Sequence, residues 1–272
     1  MKQRTLLAGR SPFRLAYVSD AISDLKNRLG ALEGKLQKLL AMSHQDLEVA
    51  KRLQKLVVRD RLPKISGIDL FARHIPGQEI GAEAFDVIPT KDNRELYVLV
   101  HWTESFGLSS VLLQALVNLQ SRATLESHPG ISVEDLFEEI QSALKETQGN
   151  ASYRLCVFHL DVHSLKYELI QKDFAPWLYS ETGREWEYMG ASGILAPGSR
   201  CFFLTAQWNP NFKDADAFYK PLDPTKLAEK NTLLEVMNEA LFKAEAFAKD
   251  QGLACDYSSV GIQVDARKIH LA

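Results

Sequence analysis

The feature that most constrains this chain is a run of apolar residues near its N-terminus, spaced alternately by three and four. Leu15, Val18, Ile22, Leu25, Leu29, Leu32, Leu36 and Leu39 follow that spacing without a fault. A repeat of 3.5 residues keeps one narrow stripe turned toward a partner helix. With Leu15 at position a, the a positions are Leu15, Ile22, Leu29 and Leu36. The d positions are Val18, Leu25, Leu32 and Leu39. Arg28 at g and Glu33 at e then form an attractive pair across a parallel, in-register dimer. Ser11-Pro12 is a suitable start, since Pro in the first helical turn loses no hydrogen bond that the helix needs. The expectation is a homodimer through a coiled coil, the alternative being a long helix packed on its own domain. Leu at both a and d leaves the number of strands open.

The seam falters at Ser43 and Asp46, after which Ala50, Leu53 and Val57 resume its register. Gly30 and Gly34 sit at outward positions, each costing about 1 kcal/mol relative to Ala. A continuous helix from about residue 12 to 59 would be roughly 70 Å long. Arg61-Leu-Pro63 is its expected stop, because Pro disfavours helical geometry in the residue before it. Residues 1–62 therefore read as a coiled-coil and linker helix, and 63–272 as a globular domain.

Within that domain, apolar and alternating runs predict strands near 67–74, 84–89 and 95–101, with a turn at Lys91-Asp92-Asn93. A helix follows from about 107 to 122, with Val111, Leu112, Ala115 and Leu119 on one face. A second, opened by Ser132 as N-cap, carries Leu136, Phe137, Ile140 and Leu144. Strands are predicted again near 153–160, 165–171, 176–180 and 200–205, then a helix after Asn231 and a last strand near 258–264. This order is α+β, without regular βαβ alternation.

The formal charge of −3 gives no general attraction to nucleic acid or anionic lipid. The basic cluster Lys51, Arg52, Lys55, Arg59, Arg61 and Lys64 is interleaved with acids and apolar residues and reads as the solvated face of the linker helix. Cys156, Cys201 and Cys255 are odd in number and unpaired in spacing, as in a reducing cytoplasm. No apolar stretch is long enough to insert in a membrane.

Several strings, taken in order, resemble the SpoIIE/RsbU branch of the metal-dependent PPM (PP2C-like) serine/threonine phosphatases. Asp46-Leu-Glu-Val-Ala-Lys-Arg-Leu-Gln54 is similar to the helix leading into those domains. Leu62-Pro63 and Ile68-Asp69-Leu70-Phe71-Ala72-Arg73 resemble their first strand. Gly81-Ala-Glu-Ala-Phe-Asp86 takes the place of Gly-Gly-Asp-Phe-Tyr-Asp. Leu99-Val-His-Trp-Thr-Glu-Ser-Phe-Gly107 lies where a strand ends in Gly-Asp-Val-Ser-Gly-His-Gly. Leu195-Ala-Pro-Gly198 and Phe203-Leu-Thr-Ala206 match a Pro-Gly turn and Tyr-Thr-Asp-Gly. Asp256-Tyr-Ser-Ser-Val260 stands for Asp-Asp-Ile-Thr-Leu. The resemblance covers residues 46 to 272. It implies a PP2C-like β-sandwich of two sheets flanked by helices, with two Mn or Mg ions at one edge.

That chemistry uses two hard cations to activate one bridging water and stabilise charge on the phosphoryl group. Hard cations want oxygen ligands. By resemblance, the four metal-site carboxylates fall on Glu83, Trp102, Ala206 and Asp256, with Thr103 where the family has a neighbouring glycine. Trp102 and Ala206 offer no ligand, so the expectation is a pseudophosphatase that has no metal cofactor and binds a protein. By analogy the partner is a STAS-type anti-anti-sigma protein or a kinase of a partner-switching pathway. The alternative is an active enzyme with one Mn or Mg on Glu83, Asp86 and Asp256, and His101 or Glu104 recruited nearby.

Two smaller features bear on metal and partner binding. His159, Asp161 and His163 would share one strand face as metal ligands, but Asp161 falls at a strand-ending turn that pulls His163 out of line. Trp177, Tyr179, Trp186, Tyr188 and Trp208 read as core and sheet-edge packing. The segment 183–198 is also shorter than its counterpart in the family. Repairing the seam offers a test. Ser43→Leu with Asp46→Leu should raise the melting temperature and alter partner binding, read by circular dichroism and calorimetry; no change in either would count against a switch at this break.

Overall fold

A computed structural model describes residues 32, 34–35, 43–58, 62–75, 80–103, 108–148, 153–171, 177–180, 185–206, 232–250 and 257–267. The chain forms two compact units, Met1–Glu48 and Val49–Ala272. The described residues of the first are helical. Of the predicted seam only Leu32 is described, 63% exposed on its helix. Leu15, Val18, Ile22, Leu25, Leu29, Leu36 and Leu39 lie outside the described residues.

Helix α1 occupies residues 43–57, and its part from Val49 onward belongs to the second unit. There Ala50, Gln54 and Val58 are buried, Leu53 and Val57 half-buried, and Val49 and Leu56 exposed. The expected register of Ala50, Leu53 and Val57 is thus rotated by about one residue, because Gln54 is drawn inward to a backbone partner. The helix ends at 57, ahead of Pro63, and Asn118 Nδ2 donates to the Val57 carbonyl at 3.2 Å.

Strands β1 (Ile68–Ile75), β2 (Glu83–Pro89) and β3 (Glu95–Thr103) come next, followed by helices α2 (Leu108–Ser127) and α3 (Val133–Gln148). Then come β4 (Tyr153–Asp161), β5 (Lys166–Gln171), β6 (Trp177–Ser180), β7 (Glu185–Tyr188), β8 (Ser192–Ile194) and β9 (Arg200–Ala206). Helix α4 (Leu233–Asp250) and β10 (Tyr257–Val264) close the order. The short strands β7 and β8 have no sequence signal of their own. Ser132 does cap α3, accepting the Asp135 N–H at 3.0 Å. At α4 the cap is Thr232: its hydroxyl accepts from Glu235 N–H while its own N–H donates to the Glu235 carboxylate, both at 3.2 Å.

All pairings among the described residues are antiparallel, in the orders β1-β10-β9-β6-β7 and β2-β3-β4-β5-β8. The two sheets share one core, in which Val98, Val100 and Phe158 meet Phe203, Val260 and Ile262. Phe158 and Phe203 pack edge to face at 5.1 Å. Alternate residues of β3 and β4, including Tyr97, Leu99, Leu155 and Val157, pack instead with α2 and α3. Helix α4 lies on the other sheet, where Gly261 leaves room for it: a Cβ there would stand 2.5 Å from Met237 Sδ and 2.9 Å from Leu233 Cδ2. The layers are helix, sheet, sheet and helix pair.

Expectation and structure part on the buried face of α2. Leu112 and Leu119 are exposed, whereas Ser110, Gln114, Asn118 and Ser121 are buried beside Val111 and Val117. Gly261→Val should overpack the α4 interface and destabilise the domain by about 1–3 kcal/mol in a denaturant titration; an unchanged midpoint would show that α4 yields freely.

Candidate functional site

The alternation of β3 carries directly into the site. Leu96, Val98 and Val100 face the opposite sheet, so Trp102 continues that face at the strand's end. Glu83 pairs directly with Trp102 from β2, and Arg154 pairs with it from β4. The three form one row at the mouth of the sandwich. Glu83 is fully buried and Trp102 nearly so. The Arg154 guanidinium lies over the indole, 4.9 Å from the ring centroid, and the indole N–H has no acceptor among the described residues.

On the opposing sheet, His74 and Ser258 pair across β1 and β10 on the face continued by Ala72 and Val260. His74 Nδ1 lies 2.8 Å from Ser258 Oγ. The chain leaves β1 at Ile75 and enters β2 at Glu83. Ala206 ends β9 opposite Tyr257, at the same end. Asp256 immediately precedes Tyr257 and lies outside the described residues, as do Glu104 and Trp208.

Other residues named from the sequence do not join this row. Asp86 is buried and receives two hydrogen bonds from Arg122, Nε to Oδ2 at 2.8 Å and Nη2 to Oδ1 at 2.6 Å. It thereby ties α2 to β2. His101 points into the helix layer. Asn118 Nδ2 serves the Val57 carbonyl, which turns its Oδ1 toward the imidazole, so His101 donates through Nε2 at 3.2 Å. Burial without a counter-charge pulls the His101 pKa down from the ordinary 6.5 to about 4, with the Asn118 bond opposing in part. Thr103 is buried, and its N–H donates to Ala82 O at 3.1 Å. Asp161 closes the turn after β4, accepting from the His163 and Ser164 N–H groups, while His159 stacks on Tyr97. Trp186 is buried against Phe202, and Tyr188 is exposed.

A polar clamp that the linear sequence did not reveal leads into the row. Gln54 of α1 donates to Gly81 O at 2.8 Å and accepts from Gly81 N–H at 3.0 Å. Gln114 and Ser110 of α2 donate to the same carbonyl at 3.0 and 3.3 Å. Gly81 lies two residues before Glu83, so α1 and α2 together fix the start of β2. Ser110, Gln114, Asn118 and Ser121, uncharged and at helical spacing, were the available signal.

No sequence model of a known family matches the chain. Solved structures do resemble it. The RsbU and RsbW domains of Rv1364c from Mycobacterium tuberculosis match 75% of this chain at a TM-score of 0.61 and 17% identity. The chain spans 63% of that protein's length. The SiaA-PP2C domain of Pseudomonas aeruginosa matches 84% of this chain and 98% of its own length, with a TM-score of 0.63 and 15% identity. RsbX in complex with magnesium matches 75% and 99%, with a TM-score of 0.56 and 14% identity. The fold is that of the PP2C-like phosphatase domains.

Where the sequence resemblance puts a two-ion centre, the described side chains do not fit one. At the position where the sequence resemblance puts the bridging ligand stands the Trp102 indole, which has no oxygen to offer a hard cation, and the neighbouring side chain already carries a positive charge. Among the described residues no three His, Cys, Asp or Glu side chains converge.

The site geometry sets two tests. Gln54→Leu leaves the buried Gly81 N–H without its acceptor and should cost about 1–3 kcal/mol in unfolding free energy; a neutral result would mean the clamp adds nothing. For His101 the folded pKa lies below the unfolded one, so the unfolded chain binds more protons between 6.5 and about 4. Stability is then complete above 6.5 and falls as pH drops through that window. Unfolding free energy at pH 5 should be about 2 kcal/mol below that at pH 7 through this residue. His101→Gln should shrink the difference, and an unaltered pH profile would contradict the assignment.

Proposed function

We propose that this chain is a bacterial signalling protein whose PP2C-like domain is a pseudophosphatase that binds a protein partner. The observation that carries the reading is Trp102, set between Glu83 and Arg154 where the resemblance calls for the bridging carboxylate. Without that carboxylate, two ions cannot share and activate one water. The alternative single-ion enzyme is left with Glu83 and Asp256, since Asp86 is held by Arg122.

Partner binding is supported by the retained scaffold and by the company the fold keeps: one similar structure joins an RsbU and an RsbW domain. The partner class is a STAS-type anti-anti-sigma protein or a kinase of the partner-switching kind. The N-terminal seam makes the protein a homodimer. No described helix is long and apolar enough to cross a membrane. Cys156 and Cys201 are buried and unbridged, in keeping with a cytoplasmic location.

Assays on a phosphoserine peptide and an aryl phosphate with Mn should show no turnover above buffer. The protein should still capture a STAS-type partner or a kinase after residues 1–45 are deleted. Mn-dependent hydrolysis at rates usual for enzymes would overturn the reading.

A further inference from the structure

The row at the mouth of the sandwich contains a cation of its own. Arg154 stands directly across from Trp102 in the β3–β4 register, with its guanidinium held over the ring. Trp102 in turn stands directly across from the buried carboxylate of Glu83. We infer that Arg154 is the fixed cation of this site: it holds the positive charge where the fold's relatives hold metal, and it bars divalent ions from that place even when the missing carboxylates are restored. This inference deepens the pseudophosphatase reading and rests on it.

The physical argument concerns what any residue at position 102 meets. Directly opposed side chains on adjacent antiparallel strands have Cβ atoms about 5 Å apart. An indole meets a guanidinium there as a stacked cation–π pair. A carboxylate at 102 would meet its charge as an ion pair. Restoring Asp at 102 therefore creates an internal salt bridge and no metal ligand. Loss of the metal centre is on this account locked by Arg154 in addition to the lost ligands at Trp102 and Ala206, and only those two are visible by comparison with the usual motifs. Arg154 lies outside all of them.

The test is Mn binding followed by titration calorimetry and thermal melting, without any activity assay. The native protein should melt at the same temperature in EDTA and in excess Mn. Trp102→Asp with Ala206→Asp should also fail to bind. The same pair combined with Arg154→Gln should bind Mn, raising the melting temperature by roughly 5–10 °C at a hundred times Kd. Arg154→Gln alone serves as the folding control and should bind nothing.

Binding by Trp102→Asp/Ala206→Asp as tight as by the triple variant would overturn the role of Arg154 while leaving the pseudophosphatase reading intact. Absence of binding by the folded triple variant would also overturn it, since the guanidinium would then not be the barrier. Binding by the native protein would bring down both, and needs no variant to fold.

Discussion

β3 is buried along almost its whole length on both faces, and its two-residue alternation organises the domain. One set of its side chains, Leu96, Val98 and Val100, belongs to the core between the sheets. The other, Tyr97, Leu99 and His101, is buried on the opposite face, toward α2 and α3. A slip of one residue would exchange these sets and bury the wrong chemistry in each layer. The same alternation delivers Trp102 to the mouth of the sandwich and keeps His101 out of it. Neighbours one residue apart thus live in different environments, one beside a cation and the other neutral in an apolar layer.

Around that strand the domain is tied by polar contacts in places where apolar ones would be expected. Buried amide and hydroxyl groups of α2 converge on the Gly81 carbonyl, and α1 grips the same residue at both its N–H and its carbonyl through the two ends of the Gln54 amide. Buried polar groups are tolerated when their hydrogen bonds are made. Here they couple two helices to the backbone two residues ahead of Glu83. The Asp86–Arg122 fork adds a second bond between α2 and β2. The mouth is therefore well supported by contacts that need no bound ion.

How far the sequence shows this varies with the kind of interaction. Strands β1 to β5 and the capping of α3 by Ser132 are local, set by alternation and by one hydroxyl, and they are legible. Trp102 stands out in the sequence because it lies inside an ordered series of family-like strings. The inward face of α2 is not legible. Apolar Leu112 and Leu119 suggested one face, but the helix turns Gln114 and Asn118 inward to partners 33 and 61 residues away in sequence. Arg154 and Arg122 are illegible for the same reason: each acquires its role only through a cross-strand or helix–strand pairing. Asp256, Glu104 and the seam from Leu15 to Leu39, Leu32 excepted, lie outside the described residues.

The central claim is that an indole occupies the place of the bridging ligand, so the fold stands there without its ion pair. Anomalous diffraction at the manganese edge, from crystals of the native protein grown in a Mn salt, tests it most directly. The account predicts no anomalous peak within coordination distance of Glu83 beside the Trp102 ring. Two peaks there, close enough to share one oxygen, would contradict it.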